Sequence, residues 1–416
     1  MCFLHLCVTL GTFISIIYDR SNIMATAKIK QQIFHLDYWL IFITVALIAC
    51  GLLLLASASM GISDRQFHQP FHYLLRQVIY LLFGITIGFL LLRVPLSYWK
   101  KTGGYWLITS LLLLILVLVP GVGREVNGSI RWLGFGFIAL QVSEFAKCAV
   151  VIYTAGYLVR RQEEVKQNIV GFVKPMVLVG LISGLLLLEP DFGAVVVILF
   201  TTLGMMYLSG ARLWQFVVLF LLVGAGLWML AITSPYRVMR MTAFLNPWAR
   251  PFDSGYQLVQ SLIAFGRGGV FGVGLGNGIQ KLFYLPEAHT DFLFAVLAEE
   301  LGILGQLAVL ALFALLVGRI LYIGKMAERA ANNFACFLAY GLGLLLGLQV
   351  IINIGVNIGI LPTKGLTLPL MSFGGSSMLF NCIIIAILLR IYHEVKIGAV
   401  LKPKLYYKKI FTQQGR

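Results

Sequence analysis

The sequence predicts an all-α, polytopic integral membrane protein with about ten transmembrane helices and a large extracytoplasmic loop between helices 7 and 8. Hydrophobic residues make up 60% of the 416 residues and charged residues only 12%, and the mean hydropathy is +0.92. A soluble globular chain is about half apolar and about a quarter charged. The composition therefore excludes an ordinary soluble fold.

Ten runs in the chain are long and apolar enough to span a membrane, which takes roughly 20 residues in a helix. We expect every run to be helical, because lipid-exposed backbone must satisfy its hydrogen bonds within the segment. No strand-like alternation competes with this assignment. The runs lie near residues 38–58, 75–94, 103–120, 141–159, 174–189, 192–209, 213–233, 291–320, 333–358 and 368–391.

These runs predict three parts of the chain: a cytoplasmic N-terminal segment (1–36), a membrane domain (37–392) that includes the extracytoplasmic loop 234–290, and a basic cytoplasmic tail (393–416). Residues 1–23 are apolar but short for a span, and they lack the charged start of a signal peptide. We expect them to be an upstream extension before Met24. The alternative is an eleventh span with the N-terminus outside.

Lysine and arginine in the loops predict the orientation, because cytoplasmic loops carry an excess of both. If the first span starts from the cytoplasm, that side collects about twice as many basic residues as the other. Both termini are then cytoplasmic. The net charge of +16 reflects this bias and an attraction to anionic lipid, and we expect no nucleic-acid partner.

The sequence gives no indication of a metal or a cofactor. Four of the six cysteines fall inside predicted spans and two in the N-terminal stretch, without zinc or disulfide spacing. His68 and His72 are separated by a proline and are expected to be interfacial residues. A requirement for a divalent cation cannot be read from the residues.

The outer face carries the polar and irregular segments, which are residues 121–140, 234–290 and 360–377. The second is far longer than an ordinary connection. Its glycines at 266–278 do not follow the nucleotide-binding spacing, and no strand precedes them. We expect a flexible, close-packed loop there and a functional site on the outer face.

Reactive side chains are concentrated where the eighth span begins, in "LPEAHTDF". A helix cap would explain one acidic residue, but not Glu287, His289 and Asp291 together. A carboxylate among cations is expected to stay ionised and can take a proton from an alcohol, so Asp291 is the candidate base and His289 the second. The cations of the same region are Arg237, Arg240, Arg250, Arg267 and Lys281.

Four further ionisable residues fall inside the predicted spans. On an ideal helix Glu299 falls about 80° and Glu300 about 180° around from Asp291, so the three cannot all face one cavity. We expect a structural role for both glutamates. Glu144 and Lys147 share one helix face. Ionisable residues in spans are functional hypotheses by default, but a mutually neutralising pair that fixes helix packing is an equal alternative.

The stretch "LPTKGLTLPLMSFGGSS" (361–377) predicts an anion site. Lys364 would supply the charge, and Ser372 and Gly374 would lie where exposed backbone N–H groups precede a helix. The alternative is close packing of Gly374 and Gly375 against a neighbouring helix. A site with one base and a surplus of cations suits a reaction in which an alcohol attacks a lipid-linked substrate. The leaving group of that substrate would be an anionic phosphate.

Seven motifs occur in order along nearly the whole chain: "NGSIRWLGFG", "SEFAK", "LEPDFGAVVV", "YRVMRMTAFLNPW", "GYQLVQSLIAFGRGGVFGVGLGNGIQKL", "YLPEAHTDF" and "LPTKGLTLPLMSFGGSS". Together they resemble the SEDS family (shape, elongation, division and sporulation), in which the motifs stand in the same order. The last two are similar to the division branch of Gram-negative bacteria.

The resemblance implies a peptidoglycan glycosyltransferase that polymerises lipid II at the outer face of the bacterial cytoplasmic (inner) membrane, at the division septum. It implies a class B penicillin-binding protein of the FtsI type and other divisome membrane proteins as partners. Asp291 matches the family's essential aspartate. Glu144 would orient Lys147 or a sugar. The family's basic positions, which could hold the lipid diphosphates, correspond to Arg131, Lys147, Arg240 and Lys364.

Two other functions remain open from the sequence. A lipid II flippase should place its ionisable groups near the bilayer midplane, whereas most of those here lie at the outer boundary. A non-catalytic recruiter of the septal transpeptidase would leave Asp291 dispensable.

Overall fold

The structure, a computed structural model, describes residues 35–126, 129–135, 138–219, 221, 244–253, 255–362 and 365–413. The chain divides into two compact units. One is Tyr38–Ile391, and the other combines the two ends of the chain, of which the structure describes residues 35–37 and 392–413. The predicted extension 1–23 and most of the seventh predicted span, 213–233, lie outside the described residues.

Helices dominate the described chain. They are α1 (Tyr38–Phe67), α2 (His72–Leu91), α3 (Leu96–Leu118), α4 (Val142–Gln167), α5 (Ile169–Leu188), α6 (Phe192–Leu208), α7 (Tyr256–Gly268), α8 (Leu293–Arg329), α9 (Asn333–Asn357) and α10 (Gly375–Gln413). Residues 213–219 and 221 are also helical, and a short 3-10 helix covers Pro247–Ala249.

The helical membrane architecture is confirmed. Eight of the described helices are long and apolar enough to span a membrane, namely α1–α5, α8, α9 and α10 over Gly375–Gly398. The sixth predicted span corresponds to α6, an apolar helix of 17 residues. Helix α7 lies within the outer loop. It is not one of the ten apolar runs that predicted helices.

The expectation that no strands occur was wrong for the outer segment 121–140. It forms a three-stranded antiparallel sheet of β1 (Gly123–Val126), β2 (Ser129–Phe135) and β3 (Ile138–Gln141), in that order. Trp132 pairs with Gln141 and Leu133 with Leu140. Strands this short give too few alternations to be recognised, and a segment outside the hydrocarbon is free to satisfy its backbone between strands.

Glycines allow three of the spanning helices and the turn before α10 to pack closely. A Cβ on Gly51 of α1 would lie 2.5 Å from Cα of Met371, and one on Gly84 of α2 would lie 2.9 Å from Sγ of Cys382 in α10. A Cβ on Gly375 would overlap the ring of Tyr80. Small residues serve helix association in membranes in this way.

Helix α8 is interrupted at Gly302, which has φ 63° and ψ −162°. The glycine-rich loop fills the break, since Ile303 and Leu304 donate their backbone N–H groups to the carbonyls of Gly269 and Val270, at 3.0 and 3.2 Å. The predicted close packing of this loop is confirmed. The break leaves a short, buried helical segment between Leu293 and Leu301, which positions the residues just before it.

Candidate active site on the outer loops

Asp291 lies just before α8, at the end of the long outer loop. The helix starts at Leu293, and its capping residue Phe292 makes no side-chain cap hydrogen bond. The reading of Asp291 as a helix cap was therefore wrong. Taken as a whole residue, Asp291 is partly exposed.

Two asparagines of α9 hold the main chain of Asp291. The side-chain amides of Asn353 and Asn357 both donate to the Asp291 carbonyl, at 2.9 and 3.0 Å. Its carboxylate faces the segment after the ninth span, because Oδ2 lies 2.8 Å from where a Cβ on Gly365 would be. The sequence analysis did not single out either asparagine, although polar residues in an apolar helix are a signal for interhelical hydrogen bonds.

Asp291 was expected to be kept ionised by surrounding cations, but the groups that act on it in the structure are mostly carboxylates. The pKa of Asp291 is raised from 3.8 to about 7, chiefly by burial and also by the nearby carboxylates of Glu287 and Asp191. Arg131 lowers it, but among the described groups it does not outweigh the burial and the two like charges. Asp291 is thus a base that titrates near neutral pH.

Two of the five cations expected in this region form ion pairs with glutamates of α8, while Arg237 and Arg240 lie outside the described residues. Arg267 pairs with Glu299 at 3.3 Å, and Lys281 pairs with Glu300 at 2.7 Å. Both glutamates are fully buried, and Glu299 also accepts backbone N–H groups of the loop at Ile279. The two glutamates thus hold the glycine-rich loop against α8, which is the structural role expected for them.

Arg131, on β2, reaches the turn between α5 and α6. Its Nε donates to the carbonyl of Glu189 at 2.9 Å and its Nη2 to the carbonyl of Pro190 at 2.7 Å. The guanidinium therefore fixes this turn next to the site while its charge acts on Asp291. A role in holding a diphosphate stays a prediction.

The α5–α6 turn carries two further carboxylates, those of Glu189 and Asp191. Glu189 is 1% exposed, and neither carboxylate oxygen has a hydrogen-bond partner among the described residues. Its pKa is raised from 4.5 to about 8, chiefly by burial and then by the charge of Asp191, while Arg131 acts to lower it. Asp191 caps α6, because Oδ1 accepts the N–H of Ala194 at 3.1 Å.

Glu287 and His289 shape the loop that leads to Asp291. Glu287 has a left-handed backbone with φ 56°, and its carboxylate accepts the Thr290 hydroxyl at 2.6 Å. The His289 ring lies 4.6 Å from the Tyr73 ring and 5.8 Å from that of Phe373. Burial lowers the pKa of His289, against a raising effect of Glu287.

Glu144 and Lys147 lie in the first turns of α4 and bind each other, with Nζ and Oε1 2.7 Å apart. Lys147 is 2% exposed. The geometry is that of a mutually neutralising pair, one of the two alternatives that the sequence left open. Contacts of either residue with a substrate remain predictions.

Ser372 and Gly374 do not offer the free donors that the predicted anion site requires. The N–H of Ser372 donates to the carbonyl of Leu368 at 3.0 Å, and the N–H of Gly374 donates to the side chain of Gln77 at 3.2 Å. Their hydrogen bonds stabilise the turn before α10. Gly375 packs on Tyr80, as the alternative of close packing predicted.

Two predicted site residues, Arg240 and Lys364, lie outside the described residues. Within the part of the chain that the structure describes, no three histidine, cysteine or acidic residues are grouped so as to hold a metal ion.

Fold and site together define a polytopic helical membrane protein whose polar chemistry lies on outer loops around one aspartate. The chain belongs to the FtsW/RodA/SpoVE family of cell cycle proteins, because the family model matches residues 38–397. This confirms the resemblance to the SEDS family.

Curated relatives match over most of their length. The chain is 60% identical over 360 residues to the probable peptidoglycan glycosyltransferase FtsW of Coxiella burnetii, covering 86% of this chain and 97% of that protein. It is 54% identical over 366 residues to the protein of the same name from Legionella pneumophila, covering 88% and 93%.

Solved structures share the fold. A chain of a peptidoglycan synthase complex, described as coordinating polymerization and crosslinking, is 29% identical with a TM-score of 0.73, covering 87% of this chain and 99% of that chain. The rod shape determining protein RodA of Thermus thermophilus is 28% identical with a TM-score of 0.63, covering 86% and 96%.

Proposed function

We propose that the protein is a peptidoglycan glycosyltransferase that polymerises lipid II at the outer face of the cytoplasmic membrane. The observation that carries this proposal is Asp291, a partly exposed residue with its pKa raised to about 7, at the end of the long outer loop where α8 begins. A base that titrates near the working pH is best matched to proton transfer. The names of the relatives point to the same reaction.

In the proposed reaction, Asp291 takes the proton from the 4-hydroxyl of the acceptor's N-acetylglucosamine. The hydroxyl oxygen then forms a bond to the anomeric carbon of the donor's N-acetylmuramic acid, and the bond from that carbon to undecaprenyl diphosphate breaks. Arg131 places a positive charge near the base, while Lys147, Arg240 and Lys364 are the further candidates to hold the diphosphates.

The remaining assignments complete the proposal. Glu144 orients Lys147, and Glu287 and His289 border the substrate site. Ser372 and Gly374 hold the turn before α10 near the site. A class B penicillin-binding protein of the FtsI type is the proposed partner, supported by the likeness to a chain of a synthase complex. The protein would act at the division septum together with other divisome membrane proteins, with both termini in the cytoplasm.

The test follows glycan chains formed from purified lipid II. Wild-type protein, Asp291→Asn and the control Asp253→Asn would each be co-purified with the cognate class B penicillin-binding protein. Asp253 is an exposed aspartate in the same outer loop, so its substitution repeats the chemical change away from the site.

We expect polymer from the wild type and from Asp253→Asn but none from Asp291→Asn. Equal polymer from all three would remove Asp291 from the mechanism and direct attention to His289 and Glu287. If none of the three forms polymer while lipid II crosses vesicle membranes that contain the protein, the function is that of a flippase.

A further inference from the structure

Asn353 and Asn357 occupy one face of the last two turns of α9, one helical turn apart. Both are buried, at 2% and 0% exposure. A buried amide is costly unless its hydrogen bonds are made. Each amide donates one hydrogen bond to the loop that carries the candidate base, and the others go from Asn353 to Leu366 and from Asn357 to Asn353 one turn earlier in α9.

The Asp291 carbonyl accepts both amides, at 2.9 Å from Asn353 and 3.0 Å from Asn357. A carbonyl oxygen has two lone pairs, so the two bonds satisfy its full capacity. Rotation of the peptide group after Asp291 would break both bonds. The main chain of Asp291 is therefore held in place by side chains of α9, which lies outside the loop of Asp291.

Each asparagine also ties a second segment to the same point. Asn353 donates to the carbonyl of Leu366 at 2.6 Å, beside Gly365, which the Asp291 carboxylate approaches. Asn357 accepts the N–H of Ala295 at 3.2 Å. The same N–H, in the first turn of α8, also donates to the carbonyl of Phe292 at 3.0 Å, so Asn357 adds a second acceptor there.

The two side-chain amides that donate to the Asp291 carbonyl carry no charge, and this affects the basicity of Asp291. A lysine or arginine in the same place would lower the basicity of Asp291, because an opposite charge favours the ionised form of a carboxyl. Amides hold the residue without adding charge. The geometry is thus suited to fixing a base while its basicity is set by Glu287, Asp191 and Arg131.

We propose that Asn353 and Asn357 are positioning residues that fix the main chain of Asp291 so that its carboxylate meets the acceptor hydroxyl in the geometry for proton transfer. This inference rests on the proposed function, in which Asp291 is the base. Neither asparagine touches substrate in this role. Their loss should affect turnover and leave substrate binding largely unchanged.

The test compares Asn353→Ala and Asn357→Ala with the wild type in lipid II polymerisation, using protein co-purified with the class B penicillin-binding protein. The matched control is Asn332→Ala at the other end of α9, where the side chain caps the helix by accepting the N–H of Ala335. Asp291→Asn is measured in the same series. Thermal unfolding in detergent is recorded for every variant.

We expect kcat to fall about 10- to 100-fold in each of the two variants, because small misplacements of a reacting group cost rates of that order. KM for lipid II should stay within about twofold of the wild type. The substitutions remove no contact that binds the substrate equally in the ground state and the transition state, and only the loss of such a contact raises KM alone. The control Asn332→Ala should keep its kcat. If Asn353→Ala does not fold, Asn357→Ala makes the same test with the Leu366 contact intact.

A folded variant with an unchanged kcat would overturn the inference, and so would a raised KM with an unchanged kcat, which would make the asparagines substrate-binding. The proposed function fails separately. If Asp291→Asn polymerises like the wild type, Asp291 is not the base. If Asp291→Asn is inactive and both asparagine variants are normal, only the positioning role is lost.

Discussion

The carboxylate of Asp191, which caps α6, acts on the pKa of Asp291 from a different loop of the protein. The two segments meet through the chain after the ninth span. A Cβ on Gly193 would lie 2.7 Å from Cγ of Leu366, and Gly365 adjoins the Asp291 carboxylate. Asp191 thus has two effects, one on the structure of α6 and one on the charge of the candidate base.

The first prediction concerns the pH dependence of polymerisation. Asp291 can accept a proton only when ionised, and its pKa is raised to about 7 by burial and by the charges of Glu287 and Asp191. The rate should therefore rise with pH through about 7 and reach a plateau above it. The profile of kcat/KM between pH 5 and pH 9 would test this, and a flat profile across that range would contradict it.

The second prediction separates the two effects of Asp191. Asparagine caps helices about as well as aspartate, so Asp191→Asn should keep α6 capped and remove the charge. The pKa of Asp291 should then fall, which moves the rising limb of the profile of kcat/KM to lower pH. A fall in rate with no shift of the limb would assign Asp191 to structure alone. Asp64→Asn, on the exposed end of α1, is the control.

The third prediction concerns stability and Glu189. Its carboxyl is buried and its folded-state pKa is raised from 4.5 to about 8, so the folded state favours the protonated form. The contribution of Glu189 to the stability of the folded state is fully present below pH 4.5 and is lost as the pH rises through about 8. Glu189→Gln cannot ionise. Relative to wild type, its melting temperature in detergent should therefore rise between those pH values, and a constant difference would contradict the shift.

The fourth prediction concerns the buried pair of Glu144 and Lys147. Removing one partner leaves an uncompensated buried charge and should cost about 3–5 kcal/mol of stability. Lys147→Met and Glu144→Gln should each lower the melting temperature strongly. The double variant should recover a large part of the loss, because neither charge is then left unpaired. Additive losses in the double variant would show that the two side chains do not interact.

The fifth prediction tests the packing of α1 against the turn before α10. A Cβ on Gly51 would lie 2.5 Å from Cα of Met371, so Gly51→Ala should destabilise the protein by about 1–3 kcal/mol through overpacking. Gly104 of α3 has no atom within 4 Å of its Cβ position. Gly104→Ala should be neutral or stabilising by about 0.5–1 kcal/mol, and similar effects of the two substitutions would contradict the packing.

The sequence by itself determined the helical membrane architecture, because apolar runs and the need to satisfy backbone hydrogen bonds in lipid leave few alternatives. It also pointed to Asp291, since the crowding of Glu287, His289 and Asp291 at a span boundary is visible in one stretch. The structural role of Glu299 and Glu300 followed from the geometry of an ideal helix.

Only the tertiary structure decided what surrounds Asp291. The sequence suggested cations, but Arg267 and Lys281 pair with buried glutamates, while the charge of Asp191 reaches Asp291 from another loop. Asn353 is close to Asp291 only because α9 packs beside the start of α8. A pKa is set by burial and by charges brought together in space, and neither quantity can be read from residue types along the chain.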